Sequence, residues 1–206
     1  MIRAVAVFVV LTVIGAGAHA DDCAAYKLRP DINLTAPDWT KSVVQPFAPM
    51  SKWHGNVIAT LVENYDLVAD ITSIEDGFCV SLKTVNATVG YSDFMVQIDI
   101  GHTPDSCGYN AILSHEDGHI RAYLSVIDDY SAELRDAIFS ASDAVMPVFV
   151  SSSAQIESAI EKLNAEIQAQ PDIVLIKQKI NAALEMRNKR IDQNDDGAML
   201  KHCFNQ

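Results

Sequence analysis

The stretch from residue 109 to residue 146 constrains the fold most, because it has helix periodicity over a length few helices reach. Its one glycine is Gly118, and the next proline is Pro147. Residues at three- and four-residue steps share one face of a helix. That face carries Tyr109, Ile112, Glu116, His119, Tyr123, Val126, Tyr130, Leu134, Ala137 and Ala141. The spacing predicts one long helix with a single buried stripe.

A second helical segment follows from Ser151 to about Arg190. Its apolar residues form a similar stripe, made of Ile156, Ile160, Leu163, Ile167, Val174, Ile180, Leu184 and Ile191. Pro171 interrupts it, which predicts a kink or two separate helices. We expect this segment to return antiparallel to the first helix.

Residues 55–100 favour strands, because β-branched and aromatic residues dominate there. The predicted strands are residues 57–62, 65–71, 78–82 and 94–100, with turns at 75–77 and 90–93. The economical interpretation is a small antiparallel sheet. The predicted fold class is therefore α+β, with this sheet followed by the long helix and the antiparallel helical return.

The N-terminus has the pattern of a secretory signal peptide. A positive start at Arg3 precedes an apolar run, and Ala18-His19-Ala20 places small residues at the −3 and −1 positions. We predict a signal peptide at 1–20, a proline-containing, loop-rich segment at 21–52, and a single domain at 53–206. That domain comprises a β region at 55–105, a helical region at 107–190 and an acidic turn and tail. No second stretch of spanning length follows, so export to the periplasm or the extracellular space is expected, without a membrane span after cleavage.

The charge balance argues against a nucleic-acid partner. The chain has 15 Lys plus Arg against 27 Asp plus Glu, a formal net charge of −12. Affinity for phosphate depends on clustered basic residues, and the sequence has no basic run. The partner that we expect instead is a peptide or protein substrate.

Export also determines how the four cysteines are interpreted. An even number of cysteines in an oxidising compartment favours disulfides. We predict Cys79–Cys107, joining the β region to the long helix, and Cys23–Cys203, joining the two chain ends. The zinc alternative is weak, because no pair has CxxC spacing.

The long helix contains the chain's most specific motif, His115-Glu116-Asp117-Gly118-His119. Helix positions i and i+4 project from one face, so both imidazoles can reach one Zn²⁺ ion. Glu116 is then placed to take a proton from zinc-bound water, which zinc makes acidic enough to ionise near neutral pH. The alternative is a pair of solvent-facing histidines with a surface glutamate between them. Charged groups on an apolar stripe favour the metal site.

At these residues the chain resembles the zincin-type HExxH zinc metallopeptidases. The stretch from Ser106 to Glu116 also resembles bacterial secreted proteins predicted to be zinc-dependent proteases. The resemblance implies a zincin-like fold, one catalytic Zn²⁺ ion, a catalytic Glu116, and a peptide substrate along an edge strand near residues 94–100. The alternatives are a non-catalytic secreted metal-binding protein and an envelope interaction protein with a vestigial site.

The third metal ligand is less clearly indicated. Glu133 lies on the same uninterrupted helix, about 21 Å along its axis from His119. This distance argues against Glu133 as the third ligand. An antiparallel return with its turn near residue 149 places residues 179–183 roughly opposite the histidines, and small register errors bring in Glu185, Asn188 and Asp192. The same family resemblance extends loosely to the tract Asn188 to Asp192. We rank Asp192 first and Glu185 second.

The same region matches the first half of an EF-hand loop, with Asp192, Asn194, Asp196 and Gly197 in sequence. The twelfth position, where a bidentate Glu is needed, is Cys203. Ca²⁺ is therefore a weaker cofactor expectation than Zn²⁺, and a solvated acidic turn is the simpler interpretation.

Overall fold

The computed structural model describes residues 23–46, 48–49, 54–195 and 201–203. The predicted signal peptide, residues 1–20, lies outside the described residues, as do Asp196 and Gly197 of the calcium-like turn. Within these residues the strands are β1 (Asp31–Thr35), β2 (Thr40–Val44), β3 (Gly55–Ile74), β4 (Gly77–Ile98) and β5 (Val148–Val150). The long α-helices are α1 (Cys107–Ala144), α2 (Ile156–Gln168) and α3 (Pro171–Asp195), and residues 201–203 are also helical. No helix in the described part of the chain is long and apolar enough to cross a membrane.

The helix α1 forms where the periodicity predicts it. It has 38 residues, and the Ser106 hydroxyl caps its N-terminus by accepting a hydrogen bond from the Tyr109 backbone N–H at 3.2 Å. The helix ends at Ala144, three residues before Pro147. Pro171 does not kink a continuous helix but begins α3, where the missing N–H of a first-turn proline costs nothing.

The predicted small antiparallel sheet was wrong. The sheet has five strands and is mixed, since β1 and β2 run parallel to β4 while β3 and β5 run antiparallel to it. Its two main strands are long, with 20 residues in β3 and 22 in β4. The four predicted strands merge because only the turn before Gly77 interrupts them. The predicted zincin-like fold included this small antiparallel sheet, so that part of the fold prediction was also wrong.

The parallel partners come from the segment that the prolines suggested was loop-rich. β1 pairs with residues 84–88 and β2 with residues 93–97, both along one side of β4. Between them the chain passes over Gly90, where a Cβ atom would lie 2.8 Å from Pro37 Cδ. Gly90 is therefore a point of close approach between chain segments and not a turn.

The disulfide pairing also differs from the prediction. The bonds are Cys23–Cys79 and Cys107–Cys203, and the pairs Cys79–Cys107 and Cys23–Cys203 were wrong. The N-terminal segment runs parallel to the start of β4, where the Ser81 hydroxyl donates to the Tyr26 carbonyl at 2.9 Å, and this places Cys23 beside Cys79. The remaining bond ties the first residue of α1 to the C-terminal segment.

Polar contacts fix the register between α1 and α3, which pack antiparallel. Ser140 donates to Asp172 at 2.6 Å, Lys179 pairs with Glu133, and Arg187 donates to Ser125 at 2.7 Å. The apolar stripes of both helices belong to the buried core, except that Val174 is exposed and Ile173 and Ile176 are buried instead. The expected turn near residue 149 was misplaced, because β5 and α2 lie between the two long helices. Residues 188–192, and not 179–183, therefore face the histidines of α1.

Candidate metal centre

The i and i+4 spacing on α1 brings the two motif histidines together. The Nε2 atoms of His115 and His119 are 3.1 Å apart, and the ring planes make an angle of 74°. Both side chains are largely covered, with 17% and 13% exposed. Two nitrogen lone pairs therefore converge on one point at the α1–α3 contact.

Asp192, in the last turn of α3, completes a three-atom cluster. Its Oδ1 lies 3.0 Å from His119 Nε2 and 3.3 Å from His115 Nε2. Among the described residues, these three form the one group of three or more His, Cys, Asp or Glu side chains that could hold a metal ion. Bonds of about 2.0–2.1 Å in a tetrahedral zinc site separate ligand atoms by about 3.3 Å. The three edges of this cluster are close to that value.

Asn188 fixes the orientation of one imidazole. Its Oδ1 lies 3.0 Å from His119 Nδ1. Because an amide oxygen only accepts, Nδ1 carries the proton in this contact, and Nε2 keeps its lone pair for the cluster. Asn188 and Asp192 are themselves four residues apart on α3, so each helix contributes two residues from one face.

Glu116 lies on the sheet-facing side of α1, beside the histidines. Its side chain is against the first residue of β3: a Cβ atom on Gly55 would lie 2.4 Å from Glu116 Oε1 and 2.5 Å from Ile112 Cγ2. The residue is 5% exposed. Only a glycine at position 55 leaves room for this carboxylate, so the backbone of β3 determines where Glu116 can lie.

The two other acidic residues considered as ligands, Glu185 and Glu133, are not part of the cluster. Glu185 lies in a shallow groove on α3 that ends at Asp192, and it is not part of the cluster. Glu133 pairs with Lys179, in agreement with its rejection. Asp192 and Asn194 are helical, so the predicted calcium turn begins inside α3 and continues beyond the described residues.

Aromatic residues next to the motif pack into the core. Tyr123 lies edge-on to Tyr91, with ring centroids 4.7 Å apart, and also contacts Phe94. Burial raises the pKa of the Tyr91 phenol, and the nearby Tyr123 raises it further. The Tyr91 phenol is therefore neutral at ordinary pH, and the Tyr91 and Tyr123 rings pack in the core beneath α1.

The expectation of a substrate along residues 94–100 was wrong, because β4 is not an edge strand. It has β3 on one side and β2 on the other. Within the described chain, β1, β2, β3 and β5 each pair only with β4, so two edges are unpaired: the outer edge of β3, and the opposite edge formed by β1, β2 and β5. In the predicted antiparallel sheet, one edge of β4 would have been unpaired. The parallel strands β1 and β2, which were not predicted, pair with that edge.

A second histidine pair was not predicted. His54 Nδ1 and His102 Nε2 are 3.2 Å apart, although the residues are 48 positions apart in sequence. No spacing rule links them. The sequence alone offered one signal. His54 precedes the predicted strand 57–62 and His102 follows the predicted strand 94–100, so the two histidines would be neighbours if these strands paired antiparallel.

The cluster fits a catalytic zinc ion in its donor set. Two imidazole nitrogens and one carboxylate oxygen form a known catalytic set, which leaves a fourth position for water or substrate. The Asp192 side chain is 52% exposed, so the site opens to solvent on that side. Calcium and magnesium prefer all-oxygen ligands, so this donor set suits a transition-metal ion better than either of them.

Comparisons of this chain with protein-family models, with curated proteins and with solved structures find no match. The resemblance to zincin-type peptidases therefore rests on the motif residues alone.

Proposed function

We propose that this protein is an exported, zinc-dependent hydrolase that cleaves peptide bonds. The observation that carries the proposal is the triangle of His115 Nε2, His119 Nε2 and Asp192 Oδ1, with edges of 3.0–3.3 Å. Glu116 stands between the two histidines in the sequence, and its carboxylate packs against Gly55. When bound, zinc polarises a carbonyl group and lowers the pKa of coordinated water to about 7.

In this proposal Glu116 is the general base and then the general acid. It accepts a proton from the attacking water and delivers that proton to the leaving amine. The carboxylate packs against Gly55, where an added Cβ atom would lie 2.4 Å from its Oε1. In this proposal the packing pre-organises the proton acceptor, which reduces the cost of reaching the reactive geometry.

The open edge of β3 supports a peptide as the substrate class. An extended peptide can add to a free strand edge through main-chain hydrogen bonds. The first residue of β3 packs against Glu116, so a peptide paired with the start of β3 would pass close to the cluster. Two disulfides support export to an oxidising compartment, the periplasm or the extracellular space.

Metal analysis tests the site first. Protein purified with both disulfides intact and dialysed against metal-free buffer should retain about one zinc ion per chain, as expected for a site with three protein ligands. The variant His115→Ala should lose it, whereas the control Asp136→Asn, an exposed residue on the same helix, should keep it. Equal and sub-stoichiometric zinc in all three proteins would refute the metal centre and leave a helical interaction protein.

Activity then tests the chemistry. Hydrolysis of an unstructured protein such as casein, or of a fluorogenic peptide library, should fall by about 10²–10⁴-fold in Glu116→Gln, the usual contribution of a general base. Zinc content should not change in this variant. Full activity in a zinc-loaded Glu116→Gln protein contradicts the mechanism.

The burial of Glu116 favours one alternative, a non-catalytic metal-binding protein. A carboxylate that is 5% exposed has little access to water unless the start of β3 moves. Zinc bound in stoichiometric amount without hydrolysis of any peptide in the library would support this alternative. The two functions share the metal centre and differ only in the role of Glu116.

A further inference from the structure

We propose that His54 and His102 form a second, weaker site for a divalent transition-metal ion. Their rings repeat the arrangement of the motif pair. The ring centroids are 5.2 Å apart with planes at 75°, compared with 4.9 Å and 74° for His115 and His119. The nitrogen atoms are separated by 3.2 Å, close to the edge of about 3.3 Å in a tetrahedral zinc site.

The backbone around this pair holds the two rings together. The His54 carbonyl accepts from the Asp99 N–H at 2.9 Å, and the His102 N–H donates to the Asp99 carbonyl at 3.0 Å. The Gln45 side chain donates to the His102 carbonyl at 2.7 Å. Asp99 thus connects both histidines through its main chain, and the loop after β4 is fastened to the start of β3.

The side chain of Asp99 also stabilises this loop. Its Oδ1 accepts from the Gly101 N–H at 2.7 Å, and the residue is 9% exposed. A carboxylate held in the loop makes the local potential more negative, which favours a cation at the neighbouring imidazoles. The rings themselves are accessible, since His54 is exposed and His102 is partly exposed. An ion can therefore reach them without a large desolvation cost.

The donor chemistry selects the metal class. Two neutral imidazoles suit Zn²⁺, Ni²⁺ or Cu²⁺ and not the oxygen-seeking Mg²⁺ or Ca²⁺. With two protein ligands, water fills the remaining positions, so this site should be weaker than the three-ligand centre and should lose its ion on dialysis. The proposal does not depend on hydrolysis at the first centre.

Isothermal titration of the dialysed, zinc-loaded protein with additional Zn²⁺ tests the proposal. The protein should bind a second equivalent. His54→Ala and His102→Gln should each weaken that equivalent at least tenfold, while the control Asn56→Ala, an exposed residue of the same strand, should not. His115→Ala should lose the tightly held ion and keep the weaker one. Circular dichroism confirms that each variant is folded.

Nitrogen-15 spectra of the histidine rings give a second measurement that requires no variant. Additional Zn²⁺ should shift the resonances of His54 Nδ1 and His102 Nε2. Binding of only one equivalent in the wild-type protein, unshifted rings, or a second equivalent that survives in both histidine variants would each overturn the proposal. The pair would then be a hydrogen bond between two imidazoles.

Discussion

The two histidine pairs have nearly the same ring geometry but depend on different kinds of scaffold. His115 and His119 come from consecutive turns of one helix, so their proximity is a local property of α1. His54 and His102 come from the start of β3 and the loop after β4, so their proximity depends on the pairing of two long strands. The first pair gains its third partner, Asp192, from α3, whereas the second has no described carboxylate close enough to complete a three-residue metal cluster. The i,i+4 spacing makes the helical pair predictable from the sequence, whereas tertiary contacts determine whether a pair gains a third ligand.

Breaking one disulfide tests how far the helical pair depends on tertiary contacts. The double variant Cys107→Ser/Cys203→Ser removes the bond between the start of α1 and the segment that follows Asp192. We expect a loss of about 2–5 kcal/mol in the free energy of unfolding, measured by urea denaturation. Zinc affinity should also fall, because the end of α3 is less firmly held beside the histidines.

The other disulfide provides the matched control. Cys23→Ser/Cys79→Ser removes a bond between the N-terminal segment and β4, which contains no residue of the metal cluster. Its loss of stability should fall in the same range of about 2–5 kcal/mol, with zinc affinity unchanged in chelator competition. An equal loss of affinity in both double variants would show that global stability, and not the α1–α3 contact, controls the centre.

Gly55 connects the two pairs, because it follows His54 and packs against Glu116. In Gly55→Ala the new methyl group would lie 2.4 Å from Glu116 Oε1 and 2.5 Å from Ile112 Cγ2. Overpacking of this kind costs about 1–3 kcal/mol, which urea denaturation can measure. An unchanged midpoint would mean that Glu116 has room to move, and this would weaken the argument that its position is fixed.

Asn188 distinguishes the two pairs in another way, since its side chain orients His119 of the helical pair. Asn188→Ala removes the acceptor for His119 Nδ1. Loss of such a partner lowers metal affinity by about 10–100-fold. Competition with a chromophoric chelator measures this change, and Asn181→Ala, two helical turns earlier on α3, is the control. Equal affinities for the wild-type protein and Asn188→Ala would remove Asn188 from the site.

The sequence predicted the features that depend on neighbouring residues and missed those that depend on distant ones. Helix α1 and the convergence of His115 with His119 follow from periodicity and i,i+4 spacing. The parallel strands were missed because β1 and β2 are short and flanked by prolines, and their partner is more than 50 positions away. That omission also produced the wrong disulfides and the wrong edge strand. Asp192 was ranked first as the third ligand, although the hairpin register was misplaced, because the tract from Asn188 to Asp192 loosely resembles the same family.

Gly118 provides the smallest test, at the centre of the motif itself. It is an internal helix residue, and a Cβ atom there would meet Ile191 Cγ2 at 3.5 Å, an ordinary van der Waals distance. Gly118→Ala therefore adds helix propensity without a clash and should stabilise the protein by about 0.5–1 kcal/mol. A rise of roughly 1–4 °C in Tm is expected for a domain of this size.

A glycine-to-alanine substitution is thus predicted to lower the stability of the protein at Gly55 and to raise it at Gly118. The difference arises because β3 approaches Glu116 more closely than α3 approaches the motif. A lower Tm for Gly118→Ala would show that α3 packs on the motif as tightly as β3 does, and that the helical pair, too, depends on a close tertiary contact.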